Sequence, residues 1–457
     1  MKIKKLFGTK AFYLTVMSIA LPIMLQQGLT SIVSLLDNVM VGRISEDALA
    51  GVAVSNQVLF VYNLLVFGGL AGPGIFISQY FGSGDEEHLR QTFRFKFLIG
   101  CSITIIALIV LVAFKENIIS MVFNNDEVNE EIAINEAIKY INVMFYSLPF
   151  FAISQVLSTS LREIGKTVIP MISGTVAILV NLILNYALIF GNFGFPQLGV
   201  EGAAIATTIS RVVEMSILLI FVLAKKIVFV RGKFSLKIEK DILKNITKKG
   251  IPLLLNEFVW SMSLTMIVFC YAYRGKAVIS AVSIATVVLD FTFIIINGLA
   301  SAISILVGKE LGANNLERAK ENSYKLMTFA IILCVILGVI FAFTAHNITY
   351  FYNISEEAIS IAKKMIVIVC GLMPITAFYL SGFFTIRAGG KSIYTLLCDS
   401  VFQVLIVLPT AYILCKYTQI NIVLIYLIVQ SFEIIKGIIS LFIIKYANWA
   451  NNLTLES

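Results

Sequence analysis

The chain has 457 residues, of which 58% are hydrophobic and 14% are charged. Soluble globular proteins are about 45–50% apolar and about 25% charged, so this composition excludes an ordinary soluble domain. The net charge of +8 fits the basic bias of cytoplasmic loops in membrane proteins, and we expect no nucleic-acid partner.

The apolar runs predict an all-α membrane protein with twelve transmembrane helices, each long enough to cross ~30 Å of hydrocarbon. Unbroken runs such as Ile103–Phe114 and Ile331–Phe343 argue against the ~10-residue alternating strands of a β-barrel. We expect spans near residues 12–41, 48–79, 95–114, 137–160, 168–190, 201–224, 250–272, 278–307, 325–345, 360–385, 393–415 and 421–444. An even number of spans puts both termini on the same side of the bilayer.

Basic residues indicate which side that is. The termini and the even-numbered loops hold 25 lysines and arginines, whereas the loops on the other side hold 8. This asymmetry predicts that both termini are cytoplasmic. The basic segment Lys225–Lys249 is the one long polar connection, and we expect it to link two lobes while lying against anionic headgroups. The N-lobe is predicted to span residues 1–230 and the C-lobe residues 231–457.

An internal repeat relates these two halves. At an offset of 230 residues Pro22 aligns with Pro252, and at an offset of 225 the R-x-x-G-K motif beginning at Arg162 aligns with the one beginning at Arg387. Chance matching of apolar residues does not easily produce registered prolines and a shared polar motif. Each half holds six spans, so both have the same orientation. We therefore expect two six-helix lobes related by a pseudo-two-fold axis along the membrane normal.

Asp37, in the outer half of the first span, is the strongest functional candidate. A carboxylate within a membrane span costs about 2.5–3.5 kcal/mol on insertion scales, so it is a functional hypothesis by default. The alternative is that Asp37 caps the helix or snorkels at its outer end. Pro22 and Gly28 lie below it in the same span and predict either a hinge or a static kink.

Amide and hydroxyl side chains are expected at the depth of Asp37. Asn181 and Asn185 are four residues apart and share one face of the fifth span, and Thr207 lies about two turns into the sixth. Together with the carboxylate of Asp37, these four residues could hold Na⁺, or a proton in a polar network. The alternative for the asparagine pair is simple interhelical hydrogen bonding, worth ~0.6 kcal/mol on average.

The second half carries acids of its own. Glu257 and Trp260 are three residues apart in span seven, so a carboxylate and an aromatic face share one side of a helix that could attract an organic cation. The alternative is a buried Glu paired with a polar neighbour, beside a packing Trp. Asp290 in span eight and Gln57 in span two complete the substrate-cavity candidates.

Weaker candidates lie in the last two spans. Asp399 is an isolated acid in span eleven. Glu433 and Lys436 are three residues apart in span twelve, and this spacing predicts an ion pair that neutralises itself.

Motifs in a fixed order carry a resemblance to a known family. They are D-N-V-M-V-G at Asp37–Gly42, L-A-G-V-A at Leu49–Ala53, Q-Y-F-G-S-G-D at Gln79–Asp85, L-R-E-I-G-K at Leu161–Lys166 and G-K-E-L-G-A-N at Gly308–Asn314. Together with the half-repeat, they resemble the multidrug and toxic compound extrusion (MATE) family of the MOP flippase superfamily, over essentially the whole chain. The resemblance implies a V-shaped bundle in a bacterial cell membrane that exports organic cations in exchange for H⁺ or Na⁺.

The resemblance also implies an N-lobe cation site. In prokaryotic relatives this site uses the acid of the first helix, Asn and Asp on the fifth, and a Thr and a backbone carbonyl on the sixth. These positions correspond here to Asp37, Asn181, Asn185, Thr207 and Ala203. Asn185 stands where the family pattern often has Asp, which lowers the charge of the site. That departure disfavours strong Na⁺ binding and leaves Asp37 as the lone N-lobe proton carrier.

In the C-lobe the resemblance is incomplete. Glu257 matches the acidic position of the seventh helix in the NorM-like branch. Thr376 stands near the place of that branch's acid on the tenth helix, so we do not expect a complete C-lobe Na⁺ site.

The resemblance also implies that the first helix bends at Pro22 when Asp37 is protonated.

We therefore predict a monomeric secondary antiporter, not an enzyme, that needs no cofactor and couples export of amphipathic cations to H⁺ or Na⁺. A lipid-linked saccharide flippase of the same superfamily is the alternative. It would need several cavity arginines for pyrophosphate, and Arg211 stands essentially alone within the predicted spans. A membrane enzyme would need a catalytic cluster of His, Asp and Glu near an interface, and the sequence has only two histidines, which stand alone. A channel would need a filter-like repeated loop, and the sequence shows none.

Overall fold

The computed structural model describes residues 6–120, 130–231, 237–350 and 355–455. The basic residues before position 6, and residues 232–236 of the expected linker, lie outside the described part. Thirteen helices follow one another in the described residues: α1 Lys10–Gly42, α2 Glu46–Ser83, α3 Glu86–Ser120, α4 Glu130–Met144, α5 Ser147–Glu163, α6 Val168–Phe190, α7 Gly199–Ala224, α8 Lys240–Ala272, α9 Lys276–Gly312, α10 Leu316–Tyr350, α11 Glu356–Ala388, α12 Ser392–Tyr417 and α13 Ile422–Tyr446.

Eleven of these helices are long and apolar enough to cross a membrane, and twelve spans result if the bent pair α4 and α5 counts as one. The described residues contain no strand, so the predicted all-α membrane class is confirmed. The fourth predicted span, residues 137–160, is not one helix. It bends by 53° between Met144 and Ser147. Pro149 contributes to this break, because its ring would clash with the carbonyl group four residues earlier in a continuous helix.

Helix α12 also departs from a regular span. Leu396–Val401 and Gln403–Val407 are wound as π-helix, with regular helix before and after them. Pro409, which has no backbone N–H, lies two residues after the end of the widened turns. Such insertions are rare and occur frequently at functional sites.

The described residues divide into two compact units. The N-unit comprises residues within Leu25–Ile77 and Glu86–Lys244, and the C-unit comprises residues within Met1–Met24, Ser78–Asp85 and Asn245–Ser457. One boundary falls inside α1, two residues after Pro22. The lobe division at residue 230, which the repeat suggests, stays a prediction.

In the N-unit, α7 packs against α4, α5 and α6, and α3 packs against α5. Its apolar core includes Leu59, Tyr62 and Val66 of α2. A buried ion pair crosses this unit, where Lys96 Nζ lies 2.7 Å from Glu163 Oε1. Gly74 faces the same carboxylate, and a Cβ atom at that position would collide with it.

In the C-unit, α11 packs against α9, α10 and α13. The C-terminal segment is fastened to this unit by Gln79, whose Nε2 donates to the carbonyl oxygen of Ala388 at 2.8 Å. The amide N–H of Leu453 donates to Gln79 Oε1 at 2.7 Å. Trp449 is 2% exposed, and its indole N–H donates to Ile444 at 3.1 Å.

Candidate functional site

One face of α6 is built from small and polar residues. Ser173, Ala177, Asn181 and Asn185 are each four residues apart and are all buried. Residues four apart on a helix lie on one side, and small residues there allow neighbouring helices to approach closely. This face therefore brings two carboxamides into the helix packing instead of exposing them to lipid.

The turn after α6 fixes α7 against it. Gly191 ends α6 in the left-handed conformation (φ 72°), and the N–H of Leu198 returns to the carbonyl oxygen of Leu188 at 2.8 Å. A Cβ atom on Gly202 would lie 2.7 Å from that same carbonyl oxygen, so only glycine permits the approach. The hairpin places Thr207 of α7 beside Asn181 of α6.

A chain of hydrogen bonds joins three helices of the N-unit. Asn185 Nδ2 donates to Asp37 Oδ1 at 2.6 Å and lies 3.2 Å from Asn181 Oδ1. Asn181 Nδ2 donates to Thr207 Oγ1 at 3.2 Å. Asn185 is 1% exposed and Asn181 is 6% exposed, whereas Asp37 and Thr207 are partly buried. The structure thus brings together four of the five residues proposed for ion coupling.

Ala203 lies one turn before Thr207 on α7, in the apolar core with Val41, Ala48 and Tyr140. The hydroxyl group of Tyr140 donates to Asn56 Oδ1 of α2 at 3.4 Å. The tyrosine was not singled out from the sequence. A role for the Ala203 carbonyl oxygen, and for the whole set as a cation site, stays a prediction.

A cavity of about 410 Å³ opens beside this network, entirely within the N-unit. Its lining includes the polar residues Gln26, Thr30, Ser34, Asp37, Asn63, Gln155, Thr159, Asn181, Thr207 and Ser210, and the aromatic residues Phe60, Phe67 and Phe151. Binding sites for small organic molecules have this size and this mixture of apolar walls with a few polar groups. The predicted site residues Asp37, Asn181 and Thr207 therefore face a space that could hold a ligand.

Among the described residues that line the cavity, Asp37, Arg211 and Glu214 carry charge. Arg211 Nη1 lies 3.0 Å from Glu214 Oε2, and its guanidinium lies 5.1 Å from the ring centre of Phe151. The arginine and the glutamate form an ion pair, and the charged lining residues are two acids and one base. Sequence reasoning missed Glu214, although its three-residue spacing from Arg211 was the available signal.

The arginine of each R-x-x-G-K motif contacts a polar residue on a helix that contains a proline, and in each case the two contacting residues belong to one unit. In the N-unit, Arg162 Nη2 donates to Gln26 Oε1 at 2.6 Å. A Cβ atom on Gly174 would lie 2.5 Å from Gln26 Nε2, so the missing side chain makes room for this amide. In both halves the motif arginine therefore contacts the helix that carries the aligned proline, although at positions one residue out of register.

In the C-unit the arginine of the motif contacts a substrate-cavity candidate, one position after the residue that aligns with Gln26. Arg387 Nη1 donates to Glu257 Oε1 at 2.9 Å, and both side chains are largely buried. Trp260 packs its ring edge-on against Phe293, with 6.0 Å between ring centres. The geometry matches the alternative stated for this pair, a Glu with a polar partner beside a packing Trp. A role of Glu257 in binding an organic cation stays a prediction.

The remaining candidates lie apart from the cavity lining. Gln57 and Asp290 are exposed on α2 and α9. Pro22 is buried inside α1, and Gly28 lies in the same unbroken helix with open space where a Cβ atom would stand. Close packing against a neighbour therefore does not explain why position 28 is a glycine.

The predicted Glu433–Lys436 ion pair is wrong. Lys436 Nζ lies 2.8 Å from Asp399 Oδ1 and donates to Gln403 Oε1 at 2.7 Å. Glu433 accepts a hydrogen bond from Thr376 instead. Three-residue spacing permitted the local pair, but partners on α11 and α12 compete for the two side chains.

The described residues include no cluster of three or more His, Cys, Asp or Glu side chains that could hold a metal ion. Membrane-spanning helices around a polar cavity with an excess carboxylate define the class as a membrane transporter. The MatE family model matches residues 22–187 and 252–413, and the chain belongs to this family, whose members are transporters and not enzymes. The two matches begin at Pro22 and Pro252, the prolines that the offset of 230 residues aligns.

Curated relatives agree with the family assignment. The chain is 26% identical over 412 residues to the probable multidrug resistance protein YoeA of Bacillus subtilis (strain 168), covering 88% of this chain and 86% of the relative. It is 27% identical over 407 residues to the probable multidrug resistance protein NorM of Thermotoga maritima, with the same coverage.

Solved structures share the fold. A crystal structure of MATE in complex with MaL6 superposes with a TM-score of 0.86 at 18% identity, covering 97% of this chain and 98% of the other. A MOP superfamily transporter from Pyrococcus furiosus Vc1 (DSM3638) gives a TM-score of 0.83 at 18% identity, covering 97% and 99%. At this level of identity the likeness supports the fold alone.

Proposed function

We propose that this chain is an antiporter that exports amphipathic, typically cationic compounds in exchange for H⁺ or Na⁺. The observation that carries the proposal is the N-unit cavity, whose described lining holds two acids, Asp37 and Glu214, and one base, Arg211, which pairs with Glu214. A cationic substrate gains from the excess negative charge and from the exposed rings of Phe60 and Phe67. The names of the curated relatives as multidrug resistance proteins support the same direction of transport.

Coupling follows from charge balance in the cavity. With Asp37 ionised the lining carries one net negative charge, and a monovalent organic cation makes the site neutral. When a proton binds Asp37 the lining is already neutral, so the cation loses its counter-charge and is released. The amide of Asn185 donates to the ionised carboxylate and holds it in one place. Proton and substrate thereby compete for one group, which is the requirement for exchange.

The direction of exchange depends on topology. The bias of basic residues supports cytoplasmic termini, which places Asp37 in the outer half of the bilayer. A proton that enters from outside and binds Asp37 then releases the substrate to the outside. Na⁺ would meet one carboxylate together with amide and hydroxyl oxygens, a weaker set than one with two carboxylates. We therefore expect H⁺ to be the main coupling ion and the transporter to work as a monomer.

The flippase alternative gains no support from the cavity. A pyrophosphate-linked substrate needs a cluster of unpaired arginines. Arg211 faces the cavity but is engaged by Glu214, and the lining has an acidic excess.

Dye uptake into everted vesicles, whose lumen corresponds to the outside of the cell, tests the proposal. An imposed pH gradient, acidic inside, is applied in one set and a Na⁺ gradient of equal size in another. We expect transport driven by the pH gradient and little by Na⁺ alone. Transport that neither gradient drives, but that follows the dye gradient downhill, would show a facilitator or channel instead.

A further inference from the structure

A second cluster of ionisable groups lies in the C-unit, and none of its residues lines the N-unit cavity. Asp399 and Gln403 project from the π-helical turns of α12 and meet Lys436 of α13. Asp399 is 4% exposed and Lys436 is 3% exposed. A buried charge of this kind is costly unless paired, and here Asp399 neutralises Lys436.

One acid of the cluster remains outside this pair. Glu433 lies one turn before Lys436 on α13, and the hydroxyl group of Thr376 on α11 donates to its Oε2. The other titratable groups that face Glu433 are Asp399 of α12, Tyr379 of α11, and Tyr426 and Lys436 of its own helix. The cluster holds two acids and one base, so it carries one net negative charge when both acids are ionised.

Thr376 is placed to serve either protonation state of Glu433. Its hydroxyl group has two acceptors within reach, the Glu433 carboxylate and the carbonyl oxygen of Leu372 at 3.2 Å. A hydroxyl group donates one hydrogen bond and also accepts. Beside an ionised Glu433 the hydroxyl donates to the carboxylate. Beside a protonated Glu433 it can accept from the acid and turn its own hydrogen to Leu372.

We propose that Glu433 is a second proton-binding site, in the C-unit, at which Thr376 reverses its hydrogen bond when the proton binds. The bound species is H⁺ from water, which adds to Glu433 Oε2 and makes the cluster neutral with the Asp399–Lys436 pair unchanged. The π-helical turns contribute by aiming both Asp399 and Gln403 at Lys436, so the direct contacts of that amine are with these two residues and not with Glu433. Any contribution of this proton to transport rests on the proposed function, but its binding does not.

Infrared titration of the purified, reconstituted full-length protein tests the binding directly. The protonated carboxyl group has a C=O stretch that ionisation removes, so a pH series reports each titrating acid. We expect Glu433→Gln to remove one titrating component of that band and Asp37→Asn to remove a different one. Thr376→Val should move the Glu433 component to higher pH by about one unit, because the ionised form loses its donor. Thr376→Ser should leave that component in place.

Two results would overturn the assignment. Wild type and Glu433→Gln could give superimposable titrations, or Thr376→Val and Thr376→Ser could both leave the band unmoved. The threonine variants keep the test valid if Glu433→Gln fails to fold. The spectra are recorded without a transport gradient, so a failure here is separate from a failure of coupled export at Asp37.

Discussion

Asn185 Nδ2 donates a 2.6 Å hydrogen bond to Asp37 Oδ1, and this contact joins α6 to α1 inside the N-unit. The same amide nitrogen lies 3.2 Å from Asn181 Oδ1, so the acid is held by a buried network. A carboxamide stabilises the ionised acid without adding charge. This arrangement suits a group that must bind and release a proton during each transport cycle.

Asn185→Asp should create sodium binding. The change places a second carboxylate against Asp37, and two acids so close favour a shared cation over two separate charges. We expect NaCl to raise the thermal midpoint of the purified variant above that in KCl at equal ionic strength, with no such difference in wild type. Asn192→Asp, on the loop after α6, is the matched control. Equal midpoints in the two salts for Asn185→Asp would contradict the prediction.

Glu257→Gln should destabilise the C-unit. The change removes the carboxylate that neutralises the buried guanidinium of Arg387, and breaking such a pair costs about 3–5 kcal/mol. The double variant Glu257→Gln with Arg387→Met should regain most of the lost thermal stability, because no unpaired charge remains. Thermal denaturation in detergent measures both. A double variant less stable than the single one would show that the pair is not the cause.

Gly174→Val should weaken substrate binding. Its side chain would push Gln26 away from Arg162 and into the cavity. We expect the affinity for a cationic dye, measured by fluorescence polarisation, to fall by about tenfold, equivalent to about 1.4 kcal/mol. Gly28→Ala is the control, since open space surrounds the added methyl group. Unchanged dye affinity in Gly174→Val would show that the position of Gln26 does not affect dye binding in the cavity. Loss of transport in Gly28→Ala, with folding intact, would favour a hinge at that glycine.

Trp449→Ala should loosen the C-terminal segment. The indole is buried and hydrogen-bonded to Ile444, and loss of a buried Trp costs about 3–5 kcal/mol. We expect a lower thermal midpoint and faster tryptic cleavage after the exposed Lys445, measured by mass spectrometry of the cleaved chain. Tyr446→Ala, at a side chain that is 69% exposed, should change neither. Matching behaviour of the two variants would argue against a structural role for the tryptophan.

The hydrogen-bond network of Asp37, Asn181, Asn185 and Thr207 was predicted from helical periodicity and from the alternating direction of the spans. Asn181 and Asn185 share a face because four residues make about one turn, and the threading of the helices set the depth of Asp37 and Thr207. The prediction needed only local spacing and the alternation of spans across the membrane. Its functional role stays untested, but the four side chains lie where that reasoning placed them.

Pairing between distant helices lay beyond the same reasoning. The sequence shows Glu257 and Arg387 as separate charges 130 residues apart, and nothing local indicates that they meet. Lys436 illustrates the reverse failure, because a nearby Glu433 offered a local partner and the packed helices supplied Asp399. The break between α4 and α5 was also missed, since hydropathy measures apolar length and not the direction of a helix.

The account depends most on Asp37 as the group for which proton and substrate compete. In proteoliposomes, Asp37→Asn should abolish uphill dye export driven by a pH gradient, because the carboxamide cannot exchange a proton. Downhill dye flux measured in the same vesicles shows that the variant is folded and inserted. Export of dye against its gradient at the full wild-type rate by Asp37→Asn would contradict the account.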